Sequence, residues 1–245
     1  MKRILIVGAT SAIAAACSRR WAGPNVTFFL VGRTAVKLRQ TADDLAARGA
    51  AAHIHVLDMN NFDLHTGMLD ACYGALKHID IALVAHGTLP NQKACEQDAQ
   101  LALKEFSSNG LSMIALLTDL ANRMEAQKSG CIAVISSVAG DRGRPSNYLY
   151  GAAKATVTNF CSGLRARMHK SGVHVLTIKP GFVDTPMTQG LALPKLLLAT
   201  PDDVAKDIVQ AIRQSRDTLY TPWFWSYIMH VIIHIPSAVF KRLKL

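Results

Sequence analysis

The chain has 245 residues, half of them hydrophobic, and 27 Lys and Arg against 17 Asp and Glu give a formal charge of +10. This length and apolar content suit a single α/β unit with a large core. The cationic surplus suits anionic ligands such as dinucleotide phosphates or acidic lipid; the absence of a basic arm, zinc-ligand spacing or RNA-binding aromatic signature argues against nucleic acid and against a metal.

In chain order, short apolar runs alternate with helical patterns, the signature of βαβ units and a parallel sheet. Strands are predicted at Arg3–Val7, Val26–Val31, His53–Leu57, Ile79–Ala85, Ile132–Ser136, Val173–Lys179 and Leu219–Thr221. Helices are predicted at Ala12–Trp21, Ala35–Arg48, Asp63–Leu76, Gln97–Gln127, Tyr148–Lys170 and Pro201–Gln214, the last opening on the capping run Thr200-Pro201-Asp202-Asp203. The fold class is therefore α/β, a Rossmann-type doubly wound sheet of about seven strands, spanning residues 1–222 and followed by an apolar and basic tail over 223–245. The first strand begins at once and leaves no room for a secretory signal. Cys17, Cys72, Cys95, Cys131 and Cys161 are odd in number with no Cys-x-x-Cys pair, so reduced thiols and a cytoplasmic location are expected.

The segment from Ser137 to Lys154 carries the chemistry. Tyr150 and Lys154 lie one helical turn apart and should share a face, where the ammonium is expected to lower the phenol's pKa from about 10 towards the range of a general acid. Ser137 ends an apolar strand, where α/β ligand sites open, and is placed to hydrogen-bond a substrate oxygen. A Tyr and a Lys four apart are common on helices, so the reading depends on what accompanies them. Gly8 follows the first strand and precedes a helix, where a tight turn presents backbone N–H groups to a pyrophosphate. Thr10 and Ser11 either touch that phosphate or cap the helix. Arg33 follows the second strand where an NAD-selective site carries an acid, so NADP(H) is expected over NAD(H); the alternative is a solvent-facing helix-leading Arg.

The set formed by Gly8-Ala9-Thr10-Ser11-Ala12-Ile13-Ala14, Asn109, Ser137, Tyr150, Lys154 and Pro180-Gly181 resembles the short-chain dehydrogenase/reductase family, from Lys2 to about Pro222. The resemblance implies a tetrad of Asn109, Ser137, Tyr150 and Lys154, with Asn109 bending its helix and holding a water; Asn-Gly inside an apolar helix is by itself a kink signal. It implies cofactor contacts from Gly8, Thr10, Ser11 and Ile13 at the first turn and from the adenine-binding pair Asp58 and Met59. Further contacts are implied for Ala85 and Gly87, for Tyr150 and Lys154, and for Pro180, Gly181, Val183 and Thr185 in the nicotinamide-facing loop. Ala12 and Ala14 stand where the family has glycines, and Ala85-His86-Gly87 stands where it has an Asn-Ala-Gly run; His86, a departure from that run, is read as structural. The resemblance implies an NADP(H)-linked reduction of a carbonyl, or the reverse oxidation, in a homodimer or homotetramer. The alternative is a non-catalytic regulatory or membrane-associated protein that keeps the fold.

The region from Met187 to Ala199, which covers substrate in the family, is unusually apolar and points to a lipophilic substrate. Asp141-Arg142-Gly143-Arg144 should lie at the site's rim, holding a substrate phosphate or merely solvated. The run Trp223–Pro236 has 14 residues, too few to span a bilayer, for which roughly 20 are needed. With Lys241-Arg242-Leu243-Lys244-Leu245 behind it, it lies in a membrane interface or packs on the core or a second subunit. The opening turn, the Arg-bearing loop and the Ile-Pro-x-x-x-Phe-Lys-x-Leu tail also resemble, within the family, mycobacterial reductases of a polyprenyl-phosphate keto-sugar.

Overall fold

A computed structural model describes residues 1–190 and 194–243. Seven parallel strands form the main sheet in the order β3-β2-β1-β4-β5-β6-β9: β1 (Lys2–Val7), β2 (Val26–Gly32), β3 (Ala51–Val56), β4 (Ile81–Val84), β5 (Cys131–Ile135), β6 (His174–Pro180) and β9 (Thr218–Thr221). A two-stranded ribbon of β7 (Phe182–Val183) and β8 (Leu198–Ala199), which the apolar pattern is too short to announce, stands beside it. Helices α1 (Ala12–Trp21), α2 (Ala35–Ala47) and α8 (Pro201–Arg213) cover one face, while α3 (His65–Leu76), α6 (Ser112–Gln127) and α7 (Tyr148–Met168) cover the other. The strand pleat divides the core between them. Ile4 and Ile6 join the first layer and Leu5 and Val7 the second, because successive side chains point to opposite faces. The central strands are covered on both sides, so they are apolar throughout instead of alternating.

The chain reverses direction across the sheet between β1 and β4, opening a crevice at the carboxyl ends of these strands. The single helix expected over Gln97–Gln127 is two, broken near Asn109, and a separate short helix ends at Gln97. Asn91 accepts from Ala94 N to start α4 (Gln92–Gln97). Asp98 accepts from Gln100 N and Leu101 N at 2.8 and 3.0 Å to start α5 (Ala99–Phe106). A short carboxylate that bonds nearby N–H groups favours a helix start over a helix interior, and this ends α4. Between α5 and α6 the residues Ser107–Leu111 form a π-helical turn, the kink foreseen at Asn109-Gly110.

The tail forms α9 (Trp225–His234) and α10 (Ser237–Phe240). Trp225 and Met229 are buried against Val138, with Phe182, Tyr220 and Ile232 packed around them, while Trp223, Tyr227, Val231 and Ile233 stay exposed. One side of α9 thus packs on the chain's own domain, and the other keeps an apolar face. Leu191, Ala192 and Leu193 of the apolar covering region, and Lys244 and Leu245 of the basic end, lie outside the described residues. No helix among the described residues is long and apolar enough to cross a membrane.

Candidate active site

A cavity of about 410 Å³ occupies the crevice, and it gathers the ends of six strands. Gly8, Thr10, Ser11 and Ile13 reach it from the β1–α1 turn, Arg33 from the end of β2, and Asp58 and Met59 from beyond β3. Ala85 and Gly87 follow β4, Ser137 follows β5, and Pro180, Gly181, Val183 and Thr185 end β6 or follow it. Tyr150 and Lys154 complete the wall from α7. Of the expected catalytic and cofactor-binding residues, Asn109 alone is not on this wall.

The β1–α1 turn is built for close approach. Gly8 has φ +83°, and a Cβ there would stand 2.5 Å from His86 N, so no side chain fits between the ends of β1 and β4. Ala14 packs fully buried in the core, and the methyl of Ala12 faces the cavity. Ser11 occupies the cap position of α1 but makes no side-chain cap bond, so its hydroxyl is left for a ligand at the helix N-terminus. Arg33 is exposed, lines the cavity and makes no ion pair with any described residue. Asp58 Oδ1 accepts from Asn60 N at 3.0 Å. A tight glycine turn, an uncommitted hydroxyl at a helix N-terminus and a guanidinium at the end of the adjacent strand fit a dinucleotide.

The proton-transfer end depends on how tightly the segment after β5 meets α7. Ser136 Oγ donates to Lys154 O at 3.0 Å and lies 2.7 Å from Thr158 Oγ1, pinning the strand end to the helix. At Gly151 a Cβ would meet Ala139 O at 2.8 Å, so the 3₁₀ turn Val138–Gly140 can press onto the first turn of α7. Ser137, whose Oγ accepts from Ala139 N at 3.1 Å, is thereby fixed opposite Tyr150. The face of α7 carrying Lys154, Val157, Cys161, Leu164 and Met168 is buried at helical spacing, which turns Tyr150 and Lys154 the same way.

The electrostatics differ from expectation. Burial pushes the Tyr150 phenol up to about 12, and the hydrogen bond from Ser137 only partly offsets it. Burial lowers Lys154 to about 8. The expected depression of Tyr150 by the ammonium is not found: Lys154 Nζ lies 5.7 Å from the phenol ring centroid, and desolvation outweighs a charge at that range. Tyr150 is therefore held as a protonated donor. Lys154 Nζ donates to Ile135 O at 3.2 Å and approaches Met113 Sδ at 3.9 Å.

Asn109 stands behind this wall. Its Oδ1 accepts from Thr88 N at 2.9 Å, and its Nδ2 donates to Thr88 Oγ1 at 2.9 Å and to Glu105 O at 3.0 Å, a carbonyl close to the π turn. It clamps the irregular segment following β4 against α5. His86 fits its structural reading in part. Ser112 Oγ donates to Ser108 O, so His86 Nε2 is the donor in its 2.9 Å contact with Ser112. Nδ1 is left as a buried acceptor without a partner, on a ring kept neutral by burial, which lowers its pKa to about 3.

The rim loop is divided in a way the sequence did not reveal. Asp141 takes Lys179 Nζ at 2.6 Å and Tyr220 Oη at 2.8 Å in a largely buried cluster. Arg142 turns outward to the tail, donating from one nitrogen to the carbonyls of Ile232, Ile233 and Ile235 at 2.5, 3.0 and 2.7 Å, and lies over the Phe240 ring at 3.7 Å. It neutralises the carbonyl end of α9 and is committed there. Arg144 alone of the three lines the cavity. Thr88, Asn147 and Thr188, not singled out from the sequence, also reach it; a polar residue just before the helix bearing Tyr150 was the one available signal for Asn147.

The model of short chain dehydrogenases matches residues 2–195. An uncharacterized oxidoreductase of Mycobacterium tuberculosis is 33% identical over 241 residues, covering 98% of this chain and 96% of the relative. Among solved structures, a short chain dehydrogenase/reductase family protein is 26% identical, with a TM-score of 0.76 over 89% of this chain and 94% of the other. An actinorhodin polyketide ketoreductase with NADPH is 20% identical and shares the fold, with a TM-score of 0.81 over 91% of this chain and 97% of that one. A family model matched across most of the chain, on a seven-stranded sheet with Ser137, Tyr150 and Lys154 around one cavity, makes this chain an oxidoreductase of the short-chain dehydrogenase/reductase family.

Proposed function

We propose that the protein reduces a ketone to a secondary alcohol with NADPH, or runs the reverse oxidation. The carrying observation is the meeting of Ser137, Tyr150 and Lys154 at the cavity with the phenol held protonated. When bound, the nicotinamide supplies hydride to the carbonyl carbon. Ser137 and Tyr150 hold the carbonyl oxygen through their hydroxyls, and the Tyr150 O–H passes its proton to that oxygen as negative charge develops on it. Lys154, with its ammonium 5.7 Å from the phenol ring centroid, offsets the negative charge left on the tyrosinate. Asn109 acts indirectly, by keeping the Thr88 segment in register with the π turn.

The preference for NADP(H) is supported by Arg33, a cation without an ion-pair partner among the described residues where an NAD-selective site needs an acid. Gly8, Thr10, Ser11 and Ile13 are read as the pyrophosphate cradle, Asp58 and Met59 as the adenine contact, and Ala85, Gly87, Pro180, Gly181, Val183 and Thr185 as the nicotinamide half. A lipophilic substrate is supported by Leu89, Val138, Phe182 and Met187 in the cavity wall. A lipid-linked keto-sugar is the sharpest form of that reading. The five free, buried cysteines support a reducing cytoplasmic setting. Exposed Leu103 and Leu111 on the central helices support a homodimer or homotetramer, and the outer face of α9 supports contact with a membrane surface or a second subunit. Co-sedimentation with liposomes, with and without residues 223–245, separates those two.

The test is a screen of NADPH absorbance over lipophilic and lipid-linked ketones with wild type and Tyr150→Phe. Turnover by the wild type and its loss in the variant, with NADPH binding retained, is the expected result. Equal rates in both would refute the proton-donor role.

A further inference from the structure

We infer that Arg144 is an anion-binding subsite for the part of the substrate away from the reacting carbonyl, taking a phosphate or carboxylate group. The inference rests on the redox reading above and specifies which substrates that site takes.

Arg144 is only 8% exposed, yet it lines the same cavity as Ser137 and Tyr150. Its Nε is buried with no hydrogen-bond partner, and no carboxylate among the described residues lies within ion-pair distance of it. Asp141, the acid whose field reaches it, is already committed: Oδ1 receives Lys179 Nζ at 2.6 Å and Oδ2 receives Tyr220 Oη at 2.8 Å. A guanidinium does not discharge as a buried amine does, so this cation persists in a poorly solvated place without a counter-ion. Burying an unpaired charge is costly to the fold. Arg142, two residues earlier, shows how the same loop satisfies a guanidinium when the role is structural, with three carbonyls and an aromatic face.

A second orphan stands three residues on and on the same wall: Asn147 Oδ1 is buried without a partner. The planar guanidinium fork suits an oxyanion, which accepts paired N–H bonds from it, while the unpartnered Asn147 Oδ1 can only accept and so suits a hydroxyl of the same substrate beside that anion. The location separates this subsite from the cofactor phosphates. The Gly8–Ile13 turn and Arg33 belong to the ends of β1 and β2, whereas Arg144 lies in the loop joining β5 to α7, between Ser137 and Tyr150. With Leu89 and Met187 on the wall, the site fits an amphiphile whose acidic group meets Arg144.

Calorimetric titration of the NADP⁺-saturated protein with phenyl phosphate, benzoate and benzyl alcohol tests this without requiring turnover. The expected result is that at least one anion binds more tightly than the alcohol. Arg144→Gln should weaken that anion at least tenfold and leave the alcohol and NADP⁺ unaffected. Whichever anion binds better distinguishes phosphate from carboxylate. Equal anion affinity in the variant, no preference over benzyl alcohol in the wild type, or a loss confined to NADP⁺ would each overturn the subsite. If Arg144→Gln does not fold, the Arg144 Nε–H resonance of the wild type, assigned with Arg144→Lys, should shift on adding the anion; a static resonance overturns it. Anion binding without reduction of any ketone would instead count against the redox reading.

Discussion

Trp225 lies so close over Gly181 that a Cβ at residue 181 would stand 1.9 Å from the indole Nε1. The tail helix is thereby seated on the loop that carries the proposed nicotinamide contacts, with Phe182 edge-on to the Trp225 ring at 5.1 Å between centroids. Gly181→Ala must displace either the loop or the indole. Expected are a marked fall in activity and a lower melting temperature, and thermal unfolding followed with NADPH oxidation checks both. Trp225→Ala, which empties a fully buried site, should cost about 3–5 kcal/mol in denaturant unfolding. An unchanged midpoint would mean that α9 is not part of the folded core.

Tyr150→Phe removes the only donated proton in the proposed reaction. General-acid loss predicts a fall in kcat of about 10²–10⁴. NADPH fluorescence titration should still show binding, and a fall in affinity of comparable size would place the defect in cofactor binding.

Lys154 sets the pH dependence. Burial holds it down to about 8 and Tyr150 up to about 12, so as pH rises the ammonium is lost while the phenol keeps its proton. The kcat/KM for reduction should fall as pH passes through about 8. Lys154→Arg keeps its charge and should lose this limb, at a lower absolute rate. Stability moves the opposite way: between about 8 and the ordinary value of 10.5 the unfolded chain holds the extra proton, so this group alone makes folding stability rise across that window. A flat rate profile through pH 9 would show that the charge is not needed.

Arg33→Asp should reverse the cofactor preference by replacing a phosphate partner with a ribose-hydroxyl partner. Comparing kcat/KM for NADPH and NADH in wild type and variant checks it, and an unchanged ratio would assign Arg33 to solvent alone.

Asp141 and Lys179 are worth more together than apart. Lys179→Met leaves Asp141 buried with only the Tyr220 hydroxyl and is expected to cost about 3–5 kcal/mol. The double change Asp141→Leu with Lys179→Met should recover much of that loss, and denaturant midpoints of the three variants measure it.

The sequence by itself determined the doubly wound sheet, the order of its elements and the residues around its crevice. Each follows from local rules: apolar runs between helical periods, a glycine after the first strand, a Tyr and a Lys one turn apart. The kink at Asn109 was legible for the same reason, and the Asp98 cap that separates α4 from α5 is an equally local signal. The tertiary structure alone decided what depends on partners distant in the chain. Nothing in Asp141-Arg142-Gly143-Arg144 tells that its first residue meets Lys179, its second the carbonyls after Ile232, and its last a cavity. The Tyr150 shift runs opposite to the sequence expectation, because a lysine at helical spacing fixes proximity while the dielectric around both groups is set by everything packed over them.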